Sequence, residues 1–158
     1  MRPIKNYIIA CVIVVITVFL TLYLKKMYEV NNKSDLEKNE ISYSSLENYL
    51  YENPEVIIYF KNGNIKQNFD EEFIDVINDN SLLNQTVYID VSELSENDKS
   101  DFYSKYCSNF TNKDSLYSVP NIVLVKDKKV VAVFNQFYPD LNSQNISSFL
   151  ISNGWLND

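Results

Sequence analysis

The segment SVPNIVLVKDKKVVAVF, Ser118 to Phe134, decides how the rest of the chain must fold. Two apolar, β-branched runs, NIVLV and KVVAVF, are separated only by KDK. A connection this short permits nothing but an antiparallel hairpin. Its tip would favour glycine in a left-handed conformation, and Lys128 in that place costs about 1 kcal/mol. Pro120 stands at the entrance to the first run. A trans proline is harmless at the first residue of a strand. An X-Pro bond can also be cis at a small energetic cost.

Working back from the hairpin, EVIIYF (Glu55 to Phe60) is a continuous β-branched and aromatic run, the pattern of a central strand covered on both faces. After a short polar turn, Ile65, Phe69, Phe73 and Ile77 recur every four residues. Asp70, Glu71 and Glu72 lie near the start, matched to a helix dipole, so the spacing predicts a helix from Ile65 to Asn78. TVYIDV (Thr86 to Val91) reads as a second strand. Ser95 with Asp98 then opens a helix with Leu94, Phe102 and Tyr106 turned inward. Upstream, SSLENYLYENP places Ser44 as cap and Glu47 three residues on, a capping box, and Pro54 stops the helix. At the other end Asn142 or Ser143 caps a helix with Ile146, Phe149 and Leu150 buried and Gly154 as its stop. The element order predicts an α/β fold: a mixed sheet flanked by helices, its parallel strands joined by right-handed crossovers.

The first 26 residues have a different character. YIIACVIVVITVFLTLYL, Tyr7 to Leu24, runs roughly 18 residues without a charge, about 27 Å as a helix, which matches the hydrocarbon thickness of a bilayer. The sequence after it, LKKMYEV, offers no small-residue cleavage site, so residues 1–26 read as an uncleaved, single-pass membrane anchor. IIAC, ending at Cys11, has the form of a lipoprotein processing box, but the strongest apolar residues follow that cysteine instead of preceding it. Arg2 and Lys5 on one flank nearly balance Lys25 and Lys26 on the other. The expected arrangement is a short cytoplasmic amino terminus with the soluble domain extracytoplasmic. Residues 27–40 are polar and aperiodic, a juxtamembrane linker, and 41–158 form the folded domain.

Composition removes several function classes. Four of the 14 basic residues flank the apolar run, which leaves 10 against 21 acids, a formal charge of −11 on the remainder. That charge argues against a nucleic-acid partner and against adsorption to anionic lipid. There is no histidine, which excludes Ser-His-Asp and Cys-His catalysis and the commonest ligand of catalytic zinc. Of the two cysteines, Cys11 lies in the anchor, so no disulfide staples the domain. Cys107 is either a reactive thiol at the end of its helix or a small packed residue; the second is the usual fate of an unpaired cysteine. Adjacent helical residues point apart, so Asp70, Glu71 and Glu72 cannot converge on one metal ion and read as a solvated helix start. Asp90 to Asp98 lacks the glycine and terminal glutamate of a calcium loop. Sequons at Asn32, Asn84, Asn109 and Asn145 are what a chain rich in Asn and Ser produces by chance. No metal or small-molecule cofactor is expected.

The element order, with SVPNIVLVKDKKVVAVF as its sharpest local match, resembles the thioredoxin-like superfamily. About 118 residues from Ile41 to Asp158 suit that domain. The resemblance implies that Pro120 takes the place of the cis proline preceding the hairpin strand, with a tight turn at the Val119–Pro120 bond, and that a reactive cysteine pair would fall at Ile65 and Asn68, counting from Phe60. Here those positions read IKQN. Neither residue forms a thiolate, and disulfide exchange needs one. Anchor, size and composition resemble small membrane-bound thioredoxin-like proteins of Gram-positive bacteria, among them bacteriocin transport accessory proteins, which typically keep the pair. The resemblance therefore implies a groove at Val119, Pro120 and Asn121 that binds a peptide or protein partner near the membrane, with β-augmentation supplying affinity. The alternative is a divergent thiol-disulfide oxidoreductase acting through Cys107 on a partner thiol.

Overall fold

The computed structural model describes residues 14–24, 37–63, 68–108, 116–135 and 142–157. The chain divides into two compact units, Met1–Ser34 and Asp35–Asp158. In the first, residues 14–24 are helical, and their large apolar side chains, Val14 to Leu24, are each between 52% and 69% exposed. Among the described residues no helix is long and apolar enough to cross a membrane. Residues 1–13, including Cys11, lie outside the described residues.

The second unit begins earlier than Ile41. Glu37–Asn39 form a turn of 3-10 helix, and the Asn39 side-chain amide donates to the carbonyls of Leu83 at 2.8 Å and Thr86 at 3.1 Å. Glu40 makes an isolated parallel bridge to Tyr88. The end of the expected linker is thus already part of the fold, held by hydrogen bonds that polarity alone does not reveal.

The sheet has the order β2-β1-β3-β4, with β1 Glu55–Lys61, β2 Thr86–Asp90, β3 Asn121–Lys126 and β4 Lys129–Asn135. β1 runs parallel to β2 and antiparallel to β3, and β3 and β4 form the hairpin. Val56 to Phe60 are all fully buried, as a central strand with both faces covered requires. Alternation along the strand then divides the core. Ile57 and Tyr59 join Ile122, Leu124 and Phe134 beneath α2 (Asn68–Asp79) and α4 (Ser143–Ser152). Val56, Ile58 and Phe60 join Val123 and Val125 beneath α1 (Tyr43–Glu52) and α3 (Glu96–Tyr106).

Helix ends show where local reading holds and where it fails. The Ser95–Asp98 capping box forms as expected, with the Asp98 amide donating to Ser95 Oγ at 3.2 Å and the Ser95 amide to Asp98 at 2.9 Å. The box expected at Ser44 and Glu47 does not. α1 starts at Tyr43 behind Ser42, whose hydroxyl contacts those of Ser44 and Ser45 and caps nothing. The cause is tertiary: the Ile41 amide donates to the Tyr88 carbonyl at 3.0 Å, which fixes the chain on the edge of β2 and starts the helix early. The hairpin tip asks for more than the one left-handed residue expected. Asp127 and Lys128 have φ of 49° and 61°, the pattern of a type I′ turn, and the Lys128 ammonium lies 4.3 Å from the Tyr51 ring centre.

Two helices end alike. After α4, Gly154 is left-handed at φ 71°, and the amides of Gly154 and Trp155 donate back to Ile151 and Leu150, both at 2.9 Å. This is a Schellman motif. After α2 the same pattern recurs, Ser81 to Asn78 at 3.1 Å and Leu82 to Ile77 at 2.9 Å, with a serine at φ 58° in the glycine position. Ser81→Gly is therefore expected to stabilise the domain by about 1 kcal/mol, and Gly154→Ala to destabilise it by about the same. A Cβ at Gly154 meets nothing within 4 Å, so its effect is conformational alone. Denaturant midpoints that move in the same direction for both variants would contradict this assignment.

Candidate functional site

Phe60 is registered against Asn121, and Asn121 against Asn135. The end of β1, the start of β3 and the end of β4 therefore meet at one end of the sheet. Three of the four buried polar residues of the described chain, Asp70, Asn121 and Asn135, belong to this end. The Val119–Pro120 bond leading into β3 is cis. Val119 is half-buried and Pro120 buried.

Asn121 departs from expectation. It is fully buried, and its side-chain amide donates to the Leu116 carbonyl. A residue spent on fastening the turn before β3 cannot line a groove. Asn68 is the first described residue of α2, and Ile65 lies outside the described residues.

What sequence reasoning missed is an ion pair at the start of α2. Asp70, read as a solvated dipole match, is 5% exposed. Lys61, at the end of β1, places its ammonium 3.1 Å from the Asp70 carboxylate, and the Tyr59 hydroxyl donates to the same carboxylate. The helical phase held the signal: Asp70 precedes the inward Phe73 by three residues and Ile77 by seven. Glu72 is also engaged, accepting from the Ser143 amide and hydroxyl at the start of α4. Only Glu71 of the three faces solvent.

Across the same end, Asp90 accepts from the Gly63 amide at 2.9 Å and the Ser92 amide at 2.8 Å. Partial burial opposes its charge, but these hydrogen bonds and Lys61 prevail and hold its carboxyl below the usual range. Gly63 needs its glycine, at φ 55°. Among the described residues no group of three or more His, Cys, Asp or Glu side chains is placed to hold a metal ion.

No known family profile matches the sequence, and no curated protein does. Among solved structures, thioredoxin from Fasciola hepatica is similar at 15% identity and a TM-score of 0.48, covering 70% of this chain and 93% of that one. Mitochondrial thioredoxin 3 from Saccharomyces cerevisiae, in its oxidized form, is similar at 14% identity and 0.48, covering 73% and 95%. A mutant thioredoxin from Halobacterium salinarum follows at 16% and 0.45, covering 80% and 97%. These figures carry nothing about activity. The architecture rests on this chain's own strand order and pairing directions. The sheet is mixed, with one parallel and two antiparallel pairings and helices on both faces.

Cys107 is not at this end of the fold as a reactive group. It closes α3, is 1% exposed and packs with Phe102, Tyr106 and Leu116 in the core on the α1 and α3 face. Burial pushes its thiol from an ordinary 9.0 up to about 12, the reverse of what nucleophilic activation requires. Tyr59, Tyr43 and Tyr117 are raised too, chiefly by burial, with the Asp70 and Asp101 carboxylates adding to the first two. In each case the folded chain keeps a proton that the unfolded chain releases. Stability is therefore full below about pH 9 and lost as pH climbs toward about 12, the window set by Cys107. Denaturant midpoints of the full chain are expected to fall between about pH 8 and about pH 10.5, less steeply in Cys107→Val. A flat profile would contradict the burial of these groups.

Proposed function

We propose that this chain is a membrane-tethered, catalytically degenerate thioredoxin-like accessory protein that binds a peptide or protein partner at the extracytoplasmic face, in the service of peptide export. The observation that carries the reading is at Val119. Among the described residues, no backbone hydrogen bond outside the helices and strands uses its amide or carbonyl, although the residue is only half-buried. A donor and an acceptor left unused by the fold, next to the start of β3, can receive a peptide in strand pairing, without any thiol. The loss of cysteine at Ile65 and Asn68 is consistent with binding kept after chemistry has gone.

Tethering is supported by the uncharged run from Tyr7 to Leu24 and by the helix at 14–24 with its large apolar side chains. The hydroxyl of Thr21 donates to the Thr17 carbonyl at 2.8 Å, so it needs no water. Confinement to a surface raises the effective concentration of partners there.

The test is a photoreactive residue at Val119 in the full-length protein in its native membrane, with Tyr51, which is 78% exposed, as control site. A discrete adduct from Val119 that Tyr51 does not give supports the reading. Equal capture from both sites, or none, sinks it. Rapid alkylation of Cys107 with mixed-disulfide formation would favour the oxidoreductase alternative.

A further inference from the structure

A cavity of about 450 Å³ opens between the start of α1, the turn after β2 and α3. Its size falls within the range of ligand sites. It shares no residue with Val119 or Pro120, so a ligand bound here is independent of whether the groove takes a peptide. Leu46, Ile89 and Leu94 give it an apolar floor, while Glu47, Glu93, Asp101 and Lys105 stand around it. Asp90 and Asp98 also line it, but their carboxylates accept hydrogen bonds from Ser92 and Ser95.

The cavity already holds an ammonium group of its own. Lys105 Nζ lies 3.2 Å from Glu47 Oε2 and 3.1 Å from Asp101 Oδ2, joining α1 to α3. Lys105 and Asp101 are 43% and 42% exposed and Glu47 69%, so both pairs are weak and open to exchange. No cation pairs with Glu93 among the described residues. An apolar floor beneath a ring of carboxylates, in a domain of net negative charge, selects a cation carried on a hydrocarbon stem and repels anions.

We propose that this cavity binds a lysine or arginine side chain of a partner polypeptide. Its stem lies over Leu46, Ile89 and Leu94, and its head displaces Lys105 from between Glu47 and Asp101. Lys105 is then a built-in competitor, and removing it strengthens binding.

The experiment titrates end-capped leucyl-arginyl-leucine, and the same peptide with neutral citrulline for arginine, into the isotope-labelled full chain in detergent micelles, followed by amide NMR shifts. The arginine peptide is expected to give saturable shifts at Tyr43, Leu94 and Asp101, and the citrulline peptide none. Lys105→Met should tighten binding about fivefold. Lys129→Met, the same change in net charge at the hairpin, should leave it within about twofold. Glu47→Gln with Asp101→Asn should weaken it about tenfold; if that variant fails to fold, the two lysine variants decide the matter alone. Unsaturable shifts spread over the acidic surface, equal binding of citrulline, or equal tightening by both lysine variants would each overturn the proposal.

Discussion

Lys61→Met is expected to destabilise the domain by about 3–5 kcal/mol, because it leaves the buried Asp70 carboxylate without its counter-charge. The side chains of the pair are only 11% and 7% exposed, so water cannot take over the lost contact. Asp70→Leu alone should cost a similar amount, since it orphans both the ammonium of Lys61 and the hydroxyl of Tyr59. The decisive variant replaces all three groups together, Lys61→Met, Asp70→Leu and Tyr59→Phe. It should recover most of either loss, because a well-packed apolar replacement is close to neutral where a broken pair is not. Urea unfolding of the full chain in detergent measures all four proteins. A loss under about 1 kcal/mol for Lys61→Met would mean that the carboxylate is hydrated after all.

The second large effect lies on the opposite face. Phe102 is 1% exposed and stands among four aromatic rings, with centroids 5.2 Å away for Tyr106, 5.6 Å for Phe60 and 6.5 Å for both Tyr43 and Tyr117. Phe102→Ala removes the hub of this cluster and is expected to cost about 3–5 kcal/mol, from lost burial and an uncollapsed cavity. β1 separates this cluster from the Lys61–Asp70 pair, so the two losses should add within about 0.5 kcal/mol. Strong coupling between them would show that the two cores are not independent. The combined variant is also the sharpest check that this is one cooperative domain with two layers of packing.

Periodicity made the strands and most helices legible because it is a local property. VIIYF is buried on both sides whatever it packs against, and Phe69, Phe73 and Ile77 share a helical stripe before any partner is known. KDK permitted only a hairpin. The candidate site was harder, for reasons that are tertiary. Nothing local tells Asp70 from Glu71 until Lys61 is brought beside one of them by the strand-to-helix turn. Asn121 reads as a groove residue next to Pro120, yet the register that pairs it with Phe60 and Asn135 turns it inward. Ser44 has the spacing of a cap, and a single hydrogen bond from Ile41 to Tyr88 moves the helix start away from it.

The hairpin ladder passes from Leu124 opposite Ala132 to Val125 opposite Val130, which leaves Val131 as an extra, outward residue, 46% exposed. Among the described residues nothing pairs with the outer edge of β4, and a straight edge of that kind is an invitation to another strand. Only Ala132 to Asn135 continue regularly past the bulge, and the added twist turns the remainder out of line. This single surplus residue works against edge-to-edge polymerisation. Deleting Val131 would straighten the edge, and self-association of the chain is the consequence to look for.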